Sequence, residues 1–197
     1  MNQGDKEGEV VEQVQKKTAA GSRTRSIAFV ALTVAITAVS AWVTVPLGPV
    51  PFTLQIFAVA FMVLVLQPKE AVAAITAYLV LGAVGVPVLA NFSGGIDKFV
   101  GPTGGFLISF PIMAYIIGLG VEHRDAFKGA FPVAVVVGTV VNYIVGVILF
   151  VIVAHSTVSV AVSACVLPFI PTAIIKAVLA CVLGLNIRKR IPGVKKA

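Results

Sequence analysis

Six long apolar runs, separated by short polar or proline-rich breaks, organise this chain. The first extends from Thr24 to about Thr44 and is rich in Ala and β-branched residues. Pro46-Leu47-Gly48-Pro49-Val50-Pro51 ends it, because three prolines in six residues lack N–H donors and restrict the residues before them, which predicts a stiff loop. Further runs cover about Phe52 to Leu66, Ala71 to Gly85, Phe106 to Val121, Phe131 to Ala154 and Pro171 to Ile187. Gln67-Pro68-Lys69-Glu70 predicts a tight turn, Gly85 to Gly105 a long non-helical loop, and HSTVSVAVSACVL, ahead of the last run, a short amphiphilic stretch. A bilayer core of ~30 Å takes ~20 apolar residues per helical span. The pattern therefore predicts an all-α integral membrane protein, six transmembrane helices in one compact bundle. The first run also fits the apolar core of a secretory signal, since Ala38-Val39-Ser40-Ala41 has small residues of the cleavage type; its length and the runs that follow favour a span.

Composition agrees. The chain has 197 residues, 58% hydrophobic and 12% charged, with a mean hydropathy of +1.04, whereas a soluble domain carries about 25% charged residues. A water-soluble globule is excluded, and with two cysteines so is a disulfide-stapled scaffold. The expected organisation is a polar cytoplasmic tail over 1–22, a six-helix transmembrane domain over 23–190 and a basic cytoplasmic tail over 191–197.

The formal charge of +7 changes the picture only through its placement. Of 15 basic residues, five precede the first run (Lys6, Lys16, Lys17, Arg23, Arg25) and five follow the last (Arg188, Lys189, Arg190, Lys195, Lys196). Adding Lys69, Arg124 and Lys128 puts 13 of the 15 on one face of a six-span protein. Basic residues flanking spans stay on the cytoplasmic side, so both termini are expected there, with the lipid bilayer and not nucleic acid as the partner. A five-span or seven-span chain would place one cluster of five outside.

Two cations are left over, both on the outer side. Lys176 lies about one turn inside the last span, where a Lys either snorkels to the interface or faces a wet cavity open to an anionic ligand. Lys98, beside Asp97, reads as an ordinary solvated loop pair ahead of a site, though both outer cations point to the ligand-facing surface. All eight acids lie in tails or loops, which weighs against ion-coupled transport and against an aspartyl protease. His123 and His155 stand alone, too few for a metal site. Cys165 and Cys181 read as small hydrophobes. Serines occur, but no adjacent base makes one a nucleophile, and GxxxxGK[ST] does not occur, so active transport would need an ATPase on another subunit.

The long third loop carries FSGG (Phe92 to Gly95) and GPTGG (Gly101 to Gly105). Such glycines either make turns or bring bare backbone close to a ligand, and a loop of ~20 residues in a compact protein is more often functional than idle. Ala28, Ala31, Ala35 and Ala38 form a small-residue stripe on the first span, for packing within the bundle or against another helix. Asn142, between Gly138 and Gly146, is interhelical glue or a ligand contact; Gln55, Tyr115 and Tyr143 are weaker candidates of the same kind.

VPLGPVPFTLQ (Val45 to Gln55), LGAVGVPVLANFSGG (Leu81 to Gly95), GPTGGFLISFP (Gly101 to Pro111) and LPFIPTAIIKA (Leu167 to Ala177) closely resemble, in this order and spacing, the BioY family. These are the biotin-specific substrate-binding (S) components of energy-coupling-factor (ECF) transporters. The resemblance covers about residues 24 to 187. It implies a bacterial plasma (inner) membrane protein that captures biotin from outside in a pocket roofed by the first and third external loops, with biotin as transported ligand and no cofactor, metal or catalytic residue. It also implies an ECF transmembrane coupling subunit and ABC-type ATPase subunits as partners. The family group's AxxxA docking motif is matched by Ala31 and Ala35. Ligand contacts are expected among Lys176, Asn91, Phe92, Gly94, Gly95, Gly101, Thr103, Gly104, Gln55, Asn142, Tyr143 and Thr172. The family's last helix typically begins Pro-Gly-Asp-x-x-Lys; here Lys176 matches, but Thr172 and Ala173 stand where Gly and Asp are expected. The role of that Asp falls to Thr172, Asn91, Asn142 or water. The alternative function is a stand-alone carrier for biotin or a related small carboxylate, without ATPase partners.

Overall fold

The computed structural model describes residues 24–46, 48–66, 68–124, 129–188 and 190. Both predicted tails, and with them most of the terminal basic residues, lie outside the described residues, as do Gln67 and 125–128.

Helix α1 (Thr24–Trp42) runs into two short antiparallel strands, β1 (Thr44–Val45) and β2 (Phe52–Thr53), that pair Thr44 with Thr53 and Val45 with Phe52. The proline-rich segment expected as a stiff loop is the tip of this hairpin. Prolines cannot donate to a ladder, so the pairing stops where they begin. Helix α2 (Gln55–Val65) follows, then α3 (Pro68–Ala83). The predicted turn at 67–70 yields three residues to α3, because a proline fits the first helical position, whose N–H has no partner anyway.

The long third loop is less irregular than expected. It contains a 3₁₀ turn (Ala90–Phe92) and α4 (Asp97–Val100). The fourth apolar run is two helices, α5 (Gly104–Ile108) and α6 (Phe110–Glu122). The break lies at Ser109, whose Oγ donates back to the Phe106 carbonyl at 3.1 Å, with Pro111 in the first turn of α6. Helix α7 (Ala130–Ala154) leads to α8 (Val158–Cys165). The stretch expected to be merely amphiphilic is thus helical, capped where Thr157 Oγ1 accepts from the Val160 N–H at 3.4 Å. A 3₁₀ turn (Leu167–Phe169) opens α9 (Ile170–Arg188).

All six predicted helical runs are present, yet among the described residues four segments are long and apolar enough to cross a membrane by themselves: Thr24–Trp42, Gly104–Glu122, Ala130–Ala154 and Val158–Ile187. At ~1.5 Å per residue, α2 is about 16 Å long and α3 about 24 Å, both short of the hydrocarbon thickness. Helix α2 occupies the centre. Its Val59, Met62, Val63 and Leu64 join Ile75 and Tyr78 of α3, Met113 and Ile117 of α6, and Phe131 of α7 in one core. Outward faces are apolar instead of charged: Val133, Val136, Val137, Val140, Ile144, Ile148 and Ile152 recur along α7 at helical spacing and are exposed. In water such a stripe would aggregate; in hydrocarbon it is at home.

Two approaches shape the interior near the hairpin. Gly105 of α5 lies against the Val145 carbonyl and the Leu149 side chain of α7, and Gly146 lies under the Phe106 ring. A Cβ at either position would overlap those atoms, so glycine is what lets α5 and α7 close to this separation.

Candidate ligand-binding site

A cavity of about 710 Å³, including its open mouth, lies at the end of the bundle where the hairpin, the third loop and α8 gather. Ligand sites of this size are mostly apolar with a few polar groups that fix orientation. Here Val50 and Pro51 of the hairpin tip, Leu89, Phe106, Leu107, Phe110 and Phe169 supply apolar wall, and Gln55, Ser93, Lys98, Thr103, Asn142, Tyr143 and Lys176 supply the polar atoms.

Lys176 is 7% exposed. Its Nζ donates to the Thr53 carbonyl at 2.6 Å and lies 3.8 Å from the centre of the Phe52 ring. Both partners belong to β2, so the hairpin holds the cation through one charge-assisted hydrogen bond and one cation–π contact. Position 173, three residues earlier on α9, is Ala.

Asn142 is fully buried in the middle of α7. Its Nδ2 donates to the Phe106 carbonyl at 2.9 Å and to Ser109 Oγ at 2.7 Å. The carbonyl can only accept, which fixes the amide's orientation. Oδ1 accepts from no donor among the described residues. Asn142 is therefore glue between α7 and the α5–α6 break, and it also keeps an unused acceptor beside the cavity. An unsatisfied buried polar atom costs about 1–3 kcal/mol, so a ligand N–H there gains what the free protein forgoes.

Gln55 is buried with both ends engaged. Its Nε2 donates to Tyr78 Oη at 2.7 Å, and its Oε1 accepts from Thr53 Oγ1 at 2.9 Å. Tyr78 Oη donates in turn to the Val88 carbonyl at 2.9 Å. This chain ties the hairpin, α2, α3 and the third loop together, and it makes Gln55 a brace as much as a wall. Tyr143 packs edge-on to Phe106, with ring centres 6.4 Å apart.

Five of the twelve sequence-predicted contacts line the cavity: Lys176, Gln55, Asn142, Tyr143 and Thr103. Asn91, Phe92, Gly94, Gly95, Gly101, Gly104 and Thr172 are not on its wall. The glycines serve the loop itself. Gly94 faces the backbone of Gly85 and Val86, Gly104 faces the Phe99 carbonyl, and Gly95 adopts φ +111°. Asn91 and Phe92 have left-handed backbone (φ 58° and 53°) and are exposed. There Phe92 stacks on Trp42 with ring centres 4.8 Å apart, while Trp42 Nε1 donates to the Pro87 carbonyl at 2.9 Å. The pair fastens the third loop to the end of α1. Thr172 Oγ1 turns back to the Phe169 carbonyl at 2.9 Å. Ala31 and Ala35 lie far from the cavity, exposed on α1 beside Ala28 and Leu32, while Ala38 is buried; Tyr115 also points outward.

Several wall residues went unremarked in the sequence. Ser93 sits inside the FSGG motif and Phe106 directly follows GPTGG, so both were within reach of a motif reading. Phe169 lies inside LPFIPTAIIKA and Cys165 reads as a small hydrophobe, but an apolar residue in an apolar run marks no site by itself. Lys98 reads from sequence as a surface pair ahead of a site. The pair exists, with Nζ 2.9 Å from Asp97 Oδ2, and the hydrogen bond from Lys98 holds the Asp97 carboxyl below its usual range. The same lysine nevertheless lines the cavity.

Known proteins bear on the same architecture. A crystal structure at 2.1 Å of the S-component for biotin from an ECF-type ABC transporter superposes with a TM-score of 0.79 at 26% identity, over 86% of this chain and 93% of that one. The biotin transporter BioY of Thermotoga maritima is 50% identical over 93 residues, 47% of this chain and 55% of its own length. The probable biotin transporter BioY of Pyrococcus horikoshii is 51% identical over 98 residues, 50% of this chain and 60% of its own. The chain thus spans a little over half the length of these curated relatives. The model of the BioY family matches residues 12–193, and with it the four-motif pattern and the fold agree: this multi-pass membrane protein belongs to the BioY family.

Proposed function

We propose that this protein captures biotin as the substrate-binding subunit of an ATP-driven ECF-type importer. The observation that carries this reading is the pairing, in one apolar cavity, of a buried cation and a buried amide oxygen that have, among the described residues, no acidic partner and no donor respectively. Biotin offers what they require: ureido N–H groups, a ureido carbonyl, an apolar ring and chain, and one carboxylate. Lys176 contacts the ligand through a charge-assisted hydrogen bond, Asn142 Oδ1 accepts a ureido N–H, and Phe106, Phe110 and Phe169 surround the apolar part. The missing family Asp is compensated by the hairpin, which supplies Lys176 with an acceptor and a ring face.

In this reading the bundle is a six-helix transmembrane domain over 23–190 with cytoplasmic tails at 1–22 and 191–197, in a bacterial inner membrane. Arg25, Lys69, Arg124 and Arg190 lie at helix ends opposite the cavity, which supports a cytoplasmic assignment for that end and an external mouth. The exposed Ala31 and Ala35 dock on the transmembrane coupling subunit, and the ATPases act from the cytoplasm. Titration of the purified protein in detergent with biotin tests the function, together with mass spectrometry of co-purifying small molecules. Saturable one-site binding is expected, and absence of binding would sink the reading. Uptake by cells lacking the coupling subunit and ATPases would instead point to a stand-alone carrier.

A further inference from the structure

The cavity is graded in polarity. Asn142 is fully buried, Lys176 is 7% exposed, and the Lys98 side chain is 41% exposed on α4, in the loop at the mouth. The unused group in the buried part is an acceptor, which repels a carboxylate and requires an N–H. Biotin carries its N–H donors and its carboxylate at opposite ends. With the ureido ring at Asn142, the carboxylate is directed toward the mouth. A carboxylate is also the most strongly hydrated part of the ligand, so the wetter end costs it least.

Lys176 spends one donor on the Thr53 carbonyl and lies on the Phe52 ring in the buried part of the cavity, so in this pose its remaining donors meet the ureido ring and not the carboxylate. Among the described residues Lys98 is paired with its sequence neighbour Asp97, at 2.9 Å, with the Asp97 side chain 65% exposed. Exposed pairs of this kind are weak, because water screens both charges, and an ammonium has three donors. Lys98 can therefore exchange Asp97 for a ligand or bridge the two. Thr103 and Ser93 also bring hydroxyls to the cavity lining, that of Ser93 donating to the Ala90 carbonyl at 2.6 Å.

Resting on the biotin reading above, we infer that Lys98 is the carboxylate-binding residue of the site and sets its preference for the free acid over a neutral amide of the same ring system. The loop lysine at the mouth reads the charged end of the ligand, and the helix residues in the buried part read the ring.

Biotin and biotinamide, which differ in charge at one end only, separate the two ends by calorimetric titration of the full chain in detergent. The wild-type protein is expected to prefer biotin by about tenfold or more, the size of one charge-assisted hydrogen bond. Lys98→Gln is expected to erase that preference by weakening biotin alone. Asp97→Asn, which removes the competing carboxylate, is expected to strengthen biotin a few-fold and leave biotinamide unchanged. Lys98 and Asp97 lie on a surface loop, so neither variant threatens the fold. A Lys98→Gln protein that keeps its preference, or that loses both ligands equally, overturns the inference, as does loss of the preference in Lys176→Met alone. A wild-type protein that binds neither ligand would refute the biotin reading itself, a result distinct from any of these.

Discussion

Lys176 shows how a cation survives at depth in an apolar bundle with no acidic partner among the described residues. The ammonium keeps a single hydrogen bond to a backbone carbonyl and rests on an aromatic face, and a desolvated cation–π contact contributes up to about 2 kcal/mol. These contacts hold the charge without neutralising it, so a polar ligand still gains from meeting it. Lys176→Met keeps the apolar stem and removes the ammonium. Titration should show biotin and biotinamide weakened alike by roughly tenfold to a hundredfold, as expected for losing a hydrogen bond to a charged group; unchanged affinity would remove Lys176 from the site. That Lys176 and Asn142 were unusual could be read from the chain, since polar residues in apolar runs are conspicuous. That Lys98 joins them could not. Its sequence neighbourhood describes a solvated pair, and only the path of the third loop turns it to the cavity.

Among the elements, the contact between α5 and α7 sets the width of the cavity. Gly146 is covered by the Phe106 ring, and Asn142, one turn away, binds the Phe106 carbonyl. Gly146→Val would push Phe106 off its seat, and overpacking of this kind costs about 1–3 kcal/mol. A lower melting temperature in detergent and loss of the shift that biotin produces in the wild-type protein are expected; a normal melt with intact binding would show that α5 and α7 have room to spare. Helix α1 is the converse case, because Ala31 and Ala35 are exposed among the described residues. Replacing both with Leu should leave biotin affinity unchanged while abolishing co-purification with the coupling subunit. Loss of biotin binding in that variant would mean instead that the face packs the bundle. The motif glycines teach a related lesson: their presence announced tight backbone geometry, but whether the tightness served a ligand or the loop depended on which backbone they met. They met Gly85, Val86 and Phe99.

In the proposed function the whole molecule is a binding body. Its cavity opens at the hairpin end, and α2, packed on α9 and α6, fills the centre beneath it. Reconstituted alone into lipid vesicles, the protein is expected to bind biotin at its membrane surface in a filter assay without accumulating it in the lumen. Accumulation without ATP and partner subunits would contradict its assignment as a subunit. What the sequence determined by itself was the membrane class, the order of six helical runs and the two cations apart from the rest. Those follow from local hydropathy and from where charges can sit relative to a bilayer, neither of which needs the chain to be folded in space. Tertiary structure alone decided that α2 is a short, enclosed strut, that FSGG and GPTGG chiefly build the loop, and that Lys98, Asn142 and Lys176 share one cavity. A helix's depth and a side chain's neighbours come from contacts between segments far apart in the chain, and their packing selects which polar groups are satisfied and which remain for a ligand.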